Sequence, residues 1–132
     1  MKQRGAENLR PKKMIAIVVQ DGMKDHLIRM LMRHKKMMFD NHVVSTKGTA
    51  EYMLKMLDLE VDEKVPSGKD GGDTKIANMV VDGKIDVLIF LLNPMETFSH
   101  SSAVDALIRE CVVSDVPIAL NAATADIVLS SI

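Results

Sequence analysis

At 132 residues, with 47% apolar and 27% charged side chains, the chain has the composition of one globular domain large enough for a real core. A net charge of −1 offers no basic excess for nucleic acid or an anionic membrane, and one Tyr, three Phe and no Trp leave nothing for a base-stacking platform. The single Cys111 cannot form an internal disulfide, which points to a buried free thiol in a reducing cytoplasm, and the eleven methionines are scattered like core filler.

Residues 1–13 read as a flexible charged leader with no apolar stretch of a signal peptide, and residues 14–132 as a single domain. Met14-Ile15-Ala16-Ile17-Val18-Val19 is a continuous apolar run, the pattern of a strand buried on both faces, and Asp21-Gly22 ends it. Lys24–Phe39 is expected as one helix. Leu27, Met30, Leu31, His34 and Met38 share its inner side, and Arg29, Arg33 and Lys36 its wet side. His42–Thr46 is a second strand, and Thr49–Leu57 a second helix with Tyr52, Met53 and Met56 inward; the stretch Thr46–Thr49 at its start reads either as a cap for a phosphate or as ordinary N-capping by Thr49.

Residues 60–65 make a third strand whose charges suggest a sheet edge. Ile76, Met79, Val80 and Val81 mark a helix over Thr74–Asp82 that stops at Gly83. Ile85–Leu92 is the strongest strand and is expected at the centre; its apolar run is far too short to cross a bilayer. Ala103–Val113 is helical, Pro117–Leu120 a short strand, and Ala122–Leu129 a closing helix capped by Asn121 or Thr124. Strands alternating with helices give an α/β fold of three α/β/α layers around a mostly parallel, twisted five-stranded sheet.

In such sheets ligands bind outside the carboxyl ends of the strands. That rule gathers Gln20, Asp21 and Lys24 after the first strand and Thr46-Lys47-Gly48-Thr49 after the second. Ser67–Asp73 follows the third strand, Asn93 to His100 the fourth and Asn121 the last. The loop Ser67-Gly68-Lys69-Asp70-Gly71-Gly72-Asp73 is the most telling. Its glycines let backbone N–H groups turn toward a ligand, and the helix start behind it adds partial positive charge, which suits phosphate.

Asp73 is the odd element, because phosphate binding alone does not favour a carboxylate there. It reads either as a first-turn acid serving the helix dipole or as a catalytic base. His100 reads either as a surface loop histidine or as a donor to a carbonyl oxygen on which charge develops. His26, His34 and His42 lack metal-ligand spacing, so no metal is expected. The Walker pattern, a GxGxxG after the first strand and a Gly-x-Ser-x-Gly elbow are all absent from the sequence. One carboxylate and one imidazole beside an oxyanion cradle suit proton abstraction next to a carbonyl.

Taken together these loops resemble the methylglyoxal synthase family over about Met14 to Ser130. The most specific segment is Ser67-Gly68-x-x-Gly71-Gly72-Asp73, followed by Gly83-Lys84-Ile85-Asp86-Val87-Leu88-Ile89-Phe90. Asp21-x-x-Lys24, Thr46-x-x-Thr49, Pro94, His100 and Asn121-x-Ala123-Thr124-Ala125-Asp126 support it. The resemblance implies conversion of dihydroxyacetone phosphate to methylglyoxal and inorganic phosphate, with no cofactor. Asp73 would be the base that forms an enediolate, and His100 would bond the substrate oxygens. Gln20, Asp21, Lys24, Thr46, Lys47, Gly48, Thr49, Ser67, Gly68 and Gly72 would bind the substrate. It also implies a homo-oligomer, often a hexamer, inhibited by phosphate.

Four places differ from the family's usual pattern. Gln20-Asp21 stands for His-Asp, Thr46-Lys47-Gly48-Thr49 for Thr-Gly-Thr-Thr, Asn93-Pro94 for Asp-Pro, and His100-Ser101-Ser102-Ala103 for His-Asp-Pro-Asp. The alternative reading is a catalytically weak or inactive phosphometabolite-binding regulatory domain. The same fold has that role in the large chain of carbamoyl-phosphate synthetase, and it also forms the cyclohydrolase part of a bifunctional purine enzyme. Ser45–Ala50 looks rather like those relatives, whereas Gly71-Gly72-Asp73 looks like a synthase.

Overall fold

The apolar run Met14–Val19 forms β1, and each residue from Ile15 to Val19 is buried. The computed structural model describes residues 12–96 and 101–132; of the expected leader, residues 1–11 lie outside these, as do residues 97–100. After β1 come α1 (Lys24–Arg33), α2 (Lys35–Asp40), β2 (His42–Thr46), α3 (Lys47–Leu57) and β3 (Glu63–Val65). A 3-10 turn (Gly68–Asp70) leads into α4 (Gly72–Val81), followed by β4 (Val87–Leu91), α5 (Ser102–Val113), β5 (Ile118–Ala119) and α6 (Ala122–Ser130).

The five strands lie in the order β3-β2-β1-β4-β5, and every neighbouring pair is parallel. Parallel strands need crossovers, and these set the layers. Ile15, Ile17 and Val19 face one core with Leu27, Met30, Leu31, Met38, Met53 and Leu129 from α1, α2, α3 and α6. Ala16 and Val18 face the other with Ile76, Val80, Leu107 and Cys111 from α4 and α5. Each fully buried large aliphatic or aromatic side chain contributes about 1.5–3 kcal/mol, so both layers are held mainly by this alternation. Burial, and then Glu110, push the Cys111 thiol up to about 11.

The chain moves outward from β1 through β2 to β3 and then returns to β4 on the other side of β1. The reversal leaves a crevice at the carboxyl ends of the strands, flanking the β1–β4 boundary, where a ligand fits. β3 is an edge, as its charges suggested. β1 takes the middle position expected for β4, which sits between β1 and β5.

Some element details differ from the sequence reading. The helix expected over Lys24–Phe39 breaks at His34, where Arg33 and His34 both turn to Asp126 of α6. Met56 and Val81 are exposed, since each lies one step round its helix from the sheet-facing stripe. Thr49 lies inside α3, whose N-cap is Thr46; of the two caps considered for α6, Asn121 serves, accepting from the Thr124 N–H at 2.8 Å.

Candidate functional site

The N-terminal ends of α3, α4 and α5 converge on one cleft of about 730 Å³ at the carboxyl rim of the sheet. Its floor is Val18 from β1 and Val104 from α5, both part of the α4/α5 core. The helix starts are not equivalent. Ser101 caps α5, accepting the Val104 N–H at 3.2 Å, but no side chain caps α3 or α4. An uncapped first turn presents N–H groups without intrahelical partners and the positive end of the helix dipole. Two such ends on one cleft make a receptor for an oxyanion.

Gln20, Asp21, Thr46, Gly48, Thr49, Ser67, Gly68 and Asp73 all line this cleft. Thr46 Oγ1 donates to Thr49 Oγ1 at 3.1 Å, with both hydroxyls buried. This pairing uses one of the two hydroxyl protons and leaves the other for a ligand. Ser67 Oγ donates to Asp70 Oδ2 at 2.9 Å, so its single proton is already engaged inside the loop. Gly68 comes so close to Asp73 that a Cβ there would meet its Oδ2 at 3.0 Å.

Asp73 sits in the first turn of α4, only 8% exposed, and does not act as the helix cap. Its Oδ1 is buried and finds no hydrogen-bond partner among the described residues. Burial pushes its carboxyl up from the ordinary aspartate range. A carboxylate removed from water and left with an unpaired oxygen is a stronger base than a solvated one. Serving the helix dipole does not require such a placement, because an acid in the first turn gains from the dipole at the surface as well, without the cost of leaving an oxygen buried and unbonded.

Three of the residues expected to bind substrate are not among those lining the cleft. Lys24 begins α1 and holds its Nζ 5.8 Å from the centroid of the Tyr52 ring on α3. Lys47 is exposed on the first turn of α3. Gly72 lies buried behind the loop, where any Cβ would strike the Pro66 carbonyl oxygen, so its role there is to let the chain pass. His100 lies outside the described residues. Lys69, Glu96 and Ser101 line the cleft as well and were not picked out individually. Lys69 was legible within the glycine loop, whereas nothing local to Glu96 or Ser101 sets them apart. Among the described residues no three of His, Cys, Asp or Glu form a set that would hold a metal ion, and no helix is long and apolar enough to cross a membrane.

A family model described as MGS-like domain matches residues 26–120. The methylglyoxal synthase of Coxiella burnetii (strain RSA 493 / Nine Mile phase I) is 38% identical over 119 residues, covering 90% of this chain and 82% of that protein. The methylglyoxal synthase of Pseudoalteromonas atlantica is 36% identical over 120 residues, covering 91% of this chain and 88% of that protein. A crystal structure of methylglyoxal synthase from Elizabethkingia anophelis superposes with a TM-score of 0.82 at 39% identity, covering 90% of this chain and 78% of that one. The chain belongs to the methylglyoxal synthase family, as an MGS-like domain.

Proposed function

We propose that the protein is a methylglyoxal synthase, turning dihydroxyacetone phosphate into methylglyoxal and inorganic phosphate. One observation carries this reading: a buried carboxylate with an unbonded oxygen, Asp73, in a cleft that two uncapped helix starts make favourable to a phosphate. Relatives named methylglyoxal synthase, similar over most of the chain, support it.

The phosphate of the substrate sits against the first turns of α3 and α4, held by backbone N–H groups, the Thr49 hydroxyl and the Lys69 charge. Asp73 takes a proton from the hydroxymethyl carbon, and the electron pair left behind forms an enediolate with the neighbouring carbonyl. That oxygen then carries charge, which donors on the cleft wall stabilise. As the hydroxyl proton leaves, its electrons collapse toward the carbon chain, the C–O bond to phosphate breaks, and the bonding pair departs with the phosphate. The remaining enolate takes a proton on its terminal carbon and becomes methylglyoxal.

One carbon rises to the aldehyde level while the phosphate-bearing carbon falls to a methyl group, so the reaction needs no external electron carrier. The resemblance assigns the proton relay between oxygens to His100. Incubation of the purified protein with dihydroxyacetone phosphate tests the reading. Methylglyoxal and phosphate should appear in equal amounts and well above the uncatalysed background; phosphate affinity with no product would favour the regulatory-domain reading instead.

A further inference from the structure

Across the β1–β4 boundary, the loops after the two strands are bonded to each other. The Gln20 N–H donates to the Leu91 carbonyl at 3.1 Å, and the Asn93 backbone N–H donates to Gln20 Oε1 at 2.8 Å. An N–H can only donate, so the atom facing it must be the amide oxygen of Gln20. The orientation of this side chain is thereby fixed, with its NH₂ on the opposite side. Gln20 is half-buried, lines the cleft, and makes no other side-chain hydrogen bond among the described residues.

Asn93 is held just as firmly. Its Nδ2 donates to the Asp21 carbonyl at 2.8 Å, and its Oδ1 accepts the Met95 N–H at 3.0 Å. Both ends of the amide are used, so neither a flipped amide nor a carboxylate satisfies the same partners. Gly22, at φ +86°, presses against it: a Cβ there would come within 2.9 Å of Asn93 Nδ2. The turn Asp21–Gly22 and the loop from Asn93 to Glu96 therefore form one unit with Asn93 as its pin.

We propose that Asn93 is a positioning residue that holds the Gln20 amide with its NH₂ toward the cleft. Gln20 there serves as a neutral donor to the carbonyl oxygen of the bound phosphosugar. The proposal rests on the synthase reading of the site for the identity of that substrate. It also explains how a neutral amide works at the end of β1: a donor that cannot titrate keeps the same strength at every pH, provided that its orientation is enforced. The enforcement comes from Asn93, through its own backbone N–H and through its side-chain grip on Asp21.

The test is a double-mutant cycle of Gln20→Ala and Asn93→Ala, read as affinity for dihydroxyacetone phosphate on an Asp73→Asn background that cannot turn it over. Inorganic phosphate, which has no carbonyl, is the control ligand. Each single change should weaken dihydroxyacetone phosphate binding about tenfold, and the pair should lose about the same tenfold rather than about a hundredfold. Phosphate affinity should stay within about twofold throughout. A pin that merely stabilised the loop would give additive losses, or equal losses for both ligands, and either result would overturn the proposal. So would unchanged affinity in Asn93→Ala, or no affinity for the sugar phosphate in the starting protein. If the wild-type chain makes no methylglyoxal but the cycle shows coupling, the synthase reading fails and the positioning role of Asn93 stands.

Discussion

Asp73 lowers the stability of the folded chain when it is ionised. Its folded-state acidity is weakened by burial, so ionising it in the folded chain costs more than ionising it in the unfolded chain. That cost is absent below the unfolded-state value and fully present above the folded-state value. The wild type should therefore gain stability relative to Asp73→Asn as pH falls through this window. Chemical denaturation at pH 7.5 and pH 4 checks this: the advantage of Asp73→Asn should be larger at pH 7.5, and an advantage independent of pH would contradict it. Ser67 has a subtler position, because its proton already goes to Asp70. A bound phosphate must compete for that proton, so Asp70→Ala should strengthen phosphate binding by about 1 kcal/mol. Calorimetry showing weaker binding would instead make Asp70 a support of the loop. Gln20, Thr46, Ser67 and Asp73 could be gathered on one rim from the sequence, because residues at the carboxyl ends of parallel strands share it, and all four line the cleft. It could not place Lys24, whose ammonium is drawn to a Tyr52 ring on another helix.

Helices read well from their apolar spacing, and their interruptions read poorly. The run from Lys24 to Phe39 carries no Gly or Pro, so nothing local announces a break. The cause is tertiary. Arg33 donates to both oxygens of Asp126, at 3.2 and 2.7 Å, and His34 Nε2 lies 2.8 Å from Oδ1, tying the α1–α2 junction to α6. The hydrogen bond from Arg33 first, and then that from His34, hold the Asp126 carboxyl below the usual carboxylate range. The sign is opposite to that of Asp73: this contribution is present above the unfolded-state value and is lost as pH falls through the folded-state value. With these groups partly exposed, Asp126→Asn should cost only about 0.5–1 kcal/mol at pH 7. Denaturation curves of wild type and variant should draw together in strong acid; a gap that persists there would assign the effect to packing.

At the scale of the whole molecule, the layers were legible and the strand order was not. Continuous apolar strands such as Val87–Leu91 announce burial on both faces, and alternation with helices announces parallel pairing. Which strand lies in the middle depends on the direction of each crossover, which no local run encodes. That order nevertheless creates the site, because the return from β3 to β4 carries α4 over the other side of the sheet, and Asp73 at its start meets the uncapped start of α3 at the carboxyl rim. The central claim is that Asp73 is the proton-abstracting base of this cleft while the helix starts hold the phosphate. Comparing turnover of dihydroxyacetone phosphate with calorimetric phosphate binding, in wild type and Asp73→Asn, tests it most directly. Loss of a general base costs on the order of 10²–10⁴-fold in rate, so turnover in Asp73→Asn should fall by at least about a hundredfold with phosphate affinity equal to wild type or tighter. Turnover within a few fold of wild type would contradict the claim.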